Sequence, residues 1–205
     1  IMTSAKLKNK IDEFWNWFVA NEEKFRIITD PHLAREMLDN QILQFGVFSW
    51  EIGEGKSKPH TLTISPNGNA NMLRRSQAII GEAPNLKDWE FFAAKPARDW
   101  DYVLEMYDSF MVKQRINIAD WEYLFRMTPN FKIRILIYAE NIDFLDEDDK
   151  RSASDFVVNS IIGEADKIDY IDSIEFISFV NETQDDDIKS IVEMRFEFEQ
   201  LLDKM

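Results

Sequence analysis

The sequence predicts an α+β protein in which two ββαβ pseudo-repeats form a mostly antiparallel or mixed sheet, with N-terminal and C-terminal helices packed on it. Three observations carry this prediction. Apolar residues recur at helical spacing near both ends of the chain, whereas in between the period drops to two in paired runs separated by turn residues. The segment Ile79-Ile80-Gly81-Glu82-Ala83 also returns as Ile161-Ile162-Gly163-Glu164-Ala165. Each copy closes a predicted helix a few residues before a predicted strand, which reads as an internal repeat.

Element by element, residues 5 to 25 read as an amphipathic helix whose buried face is aromatic, with Leu7, Ile11, Phe14, Trp15, Phe18 and Phe25 in register. A second helix starts after Asp30, an N-cap followed by Pro31 at the first helical position, and ends before Gly46. Phe48, Trp50 and Ile52 then alternate with polar neighbours, as do Leu62 and Ile64, giving a hairpin around the Gly53 to Pro59 loop. Ser65-Pro66-Asn67-Gly68 breaks the second strand. A helix over 69 to 80 follows, with Gly81 as its C-cap, and a strand from Trp89 to Ala94 completes the first unit, about 46–97. Residues 98 to 120 show no readable period. The second unit, about 121–180, repeats the grammar: strands Glu122 to Met127 and Phe131 to Ala139 around Thr128-Pro129-Asn130, a helix over 150 to 162, and a strand from Ser173 to Phe179. A long helix from Asp185 to Met205, apolar on more than one face, needs a cover. The whole is expected to form one domain, 2–205.

The chain has 205 residues, 38 acidic against 24 basic side chains, and a formal charge of −14. That balance repels phosphate backbones and excludes a general nucleic-acid binder. Residues 1 to 100 carry 13 groups of each sign, so the excess lies entirely after residue 100. Between Glu140 and Asp187 there are 16 acidic residues and only Lys150, Arg151 and Lys167 to oppose them. Hydrophobic residues make up 45% of the chain, enough for a core, yet no apolar run approaches the about 18 residues that span a bilayer. No apolar signal-peptide core stands near the N-terminus, so a cytoplasmic protein without a membrane partner is expected. With no cysteine, disulfides, thiol nucleophiles and thiolate metal sites are excluded.

The chemical motifs are weak. Gly53-Glu54-Gly55-Lys56-Ser57 resembles the end of a phosphate loop, but Trp50 stands where a glycine is required, and Pro59 with the strand after it removes the helix whose N-terminus would face phosphate. Asp143, Asp146, Glu147, Asp148 and Asp149 resemble a calcium loop, but Phe144 and Leu145 interrupt it and the central glycine is missing. These carboxylates are better suited to N-capping the helix that follows. His32 and His60 are too isolated for a zinc site, and Ser65, Asp30 and His60 lack a nucleophile elbow. No metal, cofactor or catalytic residue is therefore expected. Glu82 and Glu164 stand out because each follows a helix-ending glycine, where a carboxylate faces the negative end of the helix dipole. They are candidates for a site between the repeats, or for local pairing. Trp17 and Trp100 are the tryptophans expected to be partly exposed.

The residues Phe14-Trp15-Asn16-Trp17-Phe18, Thr61 through Gly68, Ala83 through Phe91 followed by Lys95-Pro96, and Ile162-Gly163-Glu164 before Ile174-Glu175-Phe176 resemble a family of uncharacterised bacterial proteins of similar length. The resemblance runs over about 14 to 180. It implies a bacterial, cytoplasmic protein and supplies no catalytic residues.

Three functions remain open from the sequence. The leading one is a non-enzymatic module, immunity-like or adaptor, that engages a basic protein through Asp143, Asp146, Glu147, Asp148 and Asp149. The second is a small-molecule enzyme using carboxylate chemistry in a cleft between the repeats, around Glu82 and Glu164. The third is a self-associating protein whose C-terminal helix packs on a second copy.

Overall fold

The computed structural model describes residues 4–26, 31–177 and 187–204. The fold is α+β with three mostly antiparallel or mixed sheets, and the chain divides into two compact units, residues 1–95 and 96–205.

In the first unit, helices α1 (Ser4–Arg26) and α2 (Pro31–Ile42) are followed by a short 3-10 turn, then strands β1 (Ser49–Glu54) and β2 (His60–Ser65), helix α3 (Ala70–Gly81) and strand β3 (Trp89–Phe92). β2 is central, antiparallel to β1 and parallel to β3. Leu62, Thr63, Ile64 and Ser65 are all buried, because β2 is covered on both faces, which defeats simple alternation. The aromatic stripe of α1 forms the core as the spacing predicts: Phe14, Phe18 and Phe25 are buried, and Phe18 meets Trp89 and Phe91 edge-on at 5.1 and 5.5 Å. Asn69, not a helical residue, N-caps α3 by accepting from the amides of Asn71 and Met72. At the other end, Trp15 donates its indole N–H at 2.8 Å to the Ile79 carbonyl, which also accepts the Glu82 amide at 3.3 Å, so a side chain of α1 reinforces the C-terminal turn of α3. Gly81 is the last helical residue, not the cap; that position falls to Glu82. The predicted cap Asp30 lies outside the described residues.

The second unit begins with an element that the sequence did not reveal. Residues 98 to 120 contain a hairpin of β4 (Val103–Tyr107) and β5 (Lys113–Asn117), which forms a separate two-stranded sheet. The chain continues through β6 (Glu122–Met127), β7 (Ile133–Tyr138), α4 (Glu147–Ile162), α5 (Glu164–Tyr170), β8 (Ile171–Phe176), β9 (Lys189–Ser190) and α6 (Met194–Leu202). β7 is antiparallel to β6 and parallel to β8, while β9 adds to the free side of β6. The expected antiparallel and mixed strand pairings thus occur in three separate sheets. The long helix expected over Asp185 to Met205 is also shorter: Asp187 to Ser190 are turn and strand, and a 3-10 turn precedes α6. Backbone pairing explains this difference, since Ile191 donates to the Trp121 carbonyl at 2.9 Å and the preceding residues pair with β6.

Both hairpin tips of the second unit use a type I turn followed by a residue in the left-handed region. Asp108 N–H reaches the Val112 carbonyl and Met111 N–H the Asp108 carbonyl; Thr128, Phe131 and Lys132 repeat the pattern. Glycine or asparagine is expected at the left-handed position, but it is occupied by Met111 (φ 61°) and Phe131 (φ 57°). Each costs about 1–2 kcal/mol relative to an unstrained residue.

Arg195 of α6 holds several pieces of this unit together. Its Nε donates to the Ile161 carbonyl at 2.8 Å, its Nη2 to the Arg98 carbonyl at 2.7 Å, and its Nη1 to Asp99 at 3.2 Å. The guanidinium also places a cation at the negative end of α4. Arg195→Met should destabilise the protein by about 1.5–3 kcal/mol, the range for charged hydrogen bonds, in urea unfolding followed by tryptophan fluorescence. A loss below about 0.5 kcal/mol would show that the contacts are replaced by water.

Candidate functional site

The sequence-predicted acidic residues surround the start of α4. Asp146 is its N-cap, accepting from Asp149 N–H at 2.8 Å, and Glu147, Asp148 and Asp149 form the first turn, next to the positive end of the helix dipole. The helix therefore begins three residues earlier than the apolar period shows. Glu147 pairs with Lys150 at 3.1 Å and Asp148 with Arg151 at 3.4 Å, both across exposed i,i+3 spacings of little energetic weight. Asp149 accepts from Ser109 N–H at 2.8 Å and so ties the β4–β5 tip to α4. Asp146 is held below the usual carboxylate range, chiefly by its hydrogen bond from the Asp149 backbone. Asp143, Asp146, Glu147 and Asp148 are all exposed.

Of these residues, Asp143 and Glu147 border a cavity of about 550 Å³ at the carboxyl ends of the parallel strands β7 and β8. Among the described residues, Glu140, Asp143 and Glu147 line it, with Lys150 as the one cation and Ala139 and Phe176 among the apolar walls. In sheets with parallel strands, the carboxyl edge is where the crossover leaves room for a ligand. The groove holds three carboxylates against one ammonium, which suits a guanidinium, an amine or a basic segment. No group of three or more ligating side chains suited to a metal ion occurs among the described residues.

The other candidates have local roles. Glu82 belongs to the first unit, is exposed, and pairs with Lys8 at 3.4 Å beside a cavity of about 340 Å³. Glu164 belongs to the second unit and is 4% exposed. It opens α5 and so meets the positive, favourable end of a helix rather than the negative one. Gly163 permits this by turning the chain with φ 89° between α4 and α5. The two Ile-Ile-Gly-Glu-Ala segments thus differ locally: one glycine ends a helix in ordinary backbone, the other separates two helices.

The loop resembling a phosphate loop does collect an anion, but from this chain. Glu90 accepts from the backbone amides of Ser57 and Lys58 and from the Ser57 hydroxyl at 2.7 Å. Those bonds, the Ser57 hydroxyl first, hold its carboxyl below the usual carboxylate range. A Cβ on Gly55 would sit 2.1 Å from the Lys58 carbonyl, so only glycine fits this turn. His32 is exposed, and His60 packs 5.2 Å from Trp89. Trp17 and Trp100 are half-buried, as is Trp50, whose indole donates to Asp39 at 2.7 Å.

A third cavity, about 320 Å³, lies between the Arg98 to Tyr102 segment and α6, lined by Trp100, Tyr102, Val192 and Phe196. Sequence reading missed it because its walls come from the unreadable stretch and from the last helix. No helix among the described residues is long and apolar enough to cross a membrane. Comparison with family models, with curated proteins and with solved structures gave no match.

Asp166 of α5 is pushed above the usual carboxylate range by burial and by the charges of Asp169 and Glu199. Its folded form therefore takes up a proton before the unfolded chain does. Its contribution is a penalty at neutral pH that is relieved as pH falls through the raised folded value towards the ordinary one. Asp166→Asn should raise the Tm at pH 7 and remove that pH-dependent part, seen by comparing thermal melts at pH 7 and pH 5. An unchanged Tm at pH 7 would mean that water already screens the group.

Proposed function

We propose that the second unit is a non-enzymatic binding module for a basic protein, and that the acidic groove at the carboxyl ends of β7 and β8 receives lysine or arginine side chains. The observation that carries this reading is the convergence of Glu140, Asp143 and Glu147 on one cavity, in a unit that bears the whole net charge of −14. Like-signed carboxylates around a concave site select cations and speed their approach. Asp146 and Asp149 frame the site by capping α4 and tethering the hairpin, so their charges add to the field while their bonds hold its shape. An immunity-like or adaptor role in a bacterial cytoplasm fits such a module. The shared hairpin, helix and parallel-strand order, with the two Ile-Ile-Gly-Glu-Ala segments, supports descent of the two units from one duplicated ββαβ unit.

The test separates charge from fold. The combined variant Glu140→Gln, Asp143→Asn, Glu147→Gln spares Asp146 and Asp149 and should leave the Tm within about 2 °C of the wild type. Calorimetric titration with lysine- and arginine-rich peptides should show binding that falls steeply between about 50 and 300 mM salt and weakens about tenfold or more in the variant. Equal binding by both proteins, or binding indifferent to salt, would overturn the proposal.

A further inference from the structure

The β4–β5 tip is the most exposed apolar feature of the described chain. Phe110 is 83% and Met111 77% exposed, and Tyr107 and Val112 are exposed beside them. Scattered exposed hydrophobes need no explanation, but four at one tip form a patch. This tip is also braced by side-chain hydrogen bonds. The Asp108 carboxylate accepts from Phe110 N–H at 3.0 Å, Val112 N–H at 2.9 Å and the Gln114 amide at 2.8 Å. Ser109 N–H is fixed to Asp149 at the start of α4. Met111 is held in the left-handed region, where glycine would be at ease. Its side chain, mostly exposed to water, gains little from burial to offset that strain in the free molecule. Strain retained at a surface is a sign of use.

Resting on the reading of the acidic groove, we propose that Phe110, Met111 and Val112 are the apolar anchor of the same interface, entering an apolar pocket rimmed by lysine and arginine on the partner. The first turn of α4 joins the two parts: Glu147 and Lys150 line the groove, while Asp149 grips the tip. Charge selects the occupant. A second copy of this unit, or an anionic lipid surface, would bring its own negative charge against Asp108, Asp146, Glu147 and Asp148, whereas a basic rim is attracted by them. Such a surface combines a preformed anchor, which lowers the entropic cost of binding, with a charged border that sets orientation.

The experiment compares an amphipathic lysine/leucine peptide with its lysine/serine analogue, titrated into the full-length wild type, Met111→Gly, Phe110→Ala, and the groove variant of Glu140, Asp143 and Glu147. The wild type should bind the lysine/leucine peptide about tenfold or more tightly than the analogue, and both tip variants should lose that preference. Met111→Gly should at the same time raise the Tm by about 2–4 °C, because it relieves the left-handed residue. Weaker binding by a more stable protein is not a result that misfolding produces. A wild type with no preference, or tip variants that keep it, overturns the anchor while leaving the groove reading to its own variant. Tip-dependent binding undiminished in the groove variant sinks the groove and retains the anchor. Tip-dependent dimers in sedimentation, or tip-dependent binding to phosphatidylcholine vesicles, overturn the proposal by identifying another occupant.

Discussion

The constraint on which each unit depends is a parallel strand pair, β2 with β3 and β7 with β8. Antiparallel neighbours close with a few turn residues, but parallel neighbours need a crossover that carries the chain back along the sheet. That crossover is α3 in the first unit and α4 with α5 in the second. Each must lie against the sheet and bury an apolar face there, which is why Leu73 and Ile79, and Val157, Val158 and Ile161, are fully or almost fully buried. The central strand then becomes the most enclosed part of each unit. In β7, Ile133, Ile135 and Ile137 have no exposure at all, while Arg134 on the other face reaches Glu175 at 3.5 Å.

The same constraint makes the groove. A crossover leaves β7 at its carboxyl end and must travel before the helix starts, and here Ala139 to Asp146 form that path. Ile142 and Leu145 are pulled into the core. The residues between and beside them, Glu140, Asp143 and Asp146, are turned to solvent around the strand ends. Acidic residues in this segment therefore have two uses that do not conflict. Asp146 caps the helix, and the first turn places Glu147, Asp148 and Asp149 where the dipole favours negative charge. A calcium loop would need these oxygens to turn inward on one point; the cap and the tether turn two of them away.

Legibility in the sequence followed period and turn chemistry. The helix of Phe14, Trp15 and Phe18, the hairpin around Thr128-Pro129-Asn130 and the crossover carrying Val157 and Ile161 were readable because their apolar spacing is regular and their boundaries hold familiar residues. The β4–β5 hairpin was hidden for the opposite reasons. Its strands alternate only over Leu104, Met106 and Ile116, and its turn, Asp108-Ser109-Phe110-Met111-Val112, has no glycine, asparagine or proline to announce it. The C-terminal region misled because Ile188, Ile191 and Val192 fit a helical stripe, while strand pairing with β6 takes their neighbours first. At the site, composition located the charge but not its geometry. No periodicity says that Glu140 and Glu147 line one cavity, or that Asp149 reaches back forty residues to the amide of Ser109.

Acidity and exposed apolar surface pull in different directions, and both meet at the start of α4. An acidic face kept only for solubility would have no need of hydrophobic residues beside it, since they work against solubility. A hydrophobic tip kept only through lack of selection would not be braced by Asp108, Gln114 and Asp149 around a strained methionine. Phe131 is equally strained and exposed, yet beyond the backbone bonds its turn shares with the other tip, the side chain that braces it is the Thr128 hydroxyl, accepting from the Lys132 amide at 3.2 Å, and no carboxylate stands in the turn. The contrast separates the two hairpins: they share a backbone geometry, but only the tip held by Asp108 and Asp149 is fixed within a field of negative charge. Bracing, apolar exposure and acidic side chains coincide there because the β4–β5 tip and the start of α4, forty residues apart in the chain, are joined by Ser109 and Asp149, and none of these three features accounts for the others by stability alone.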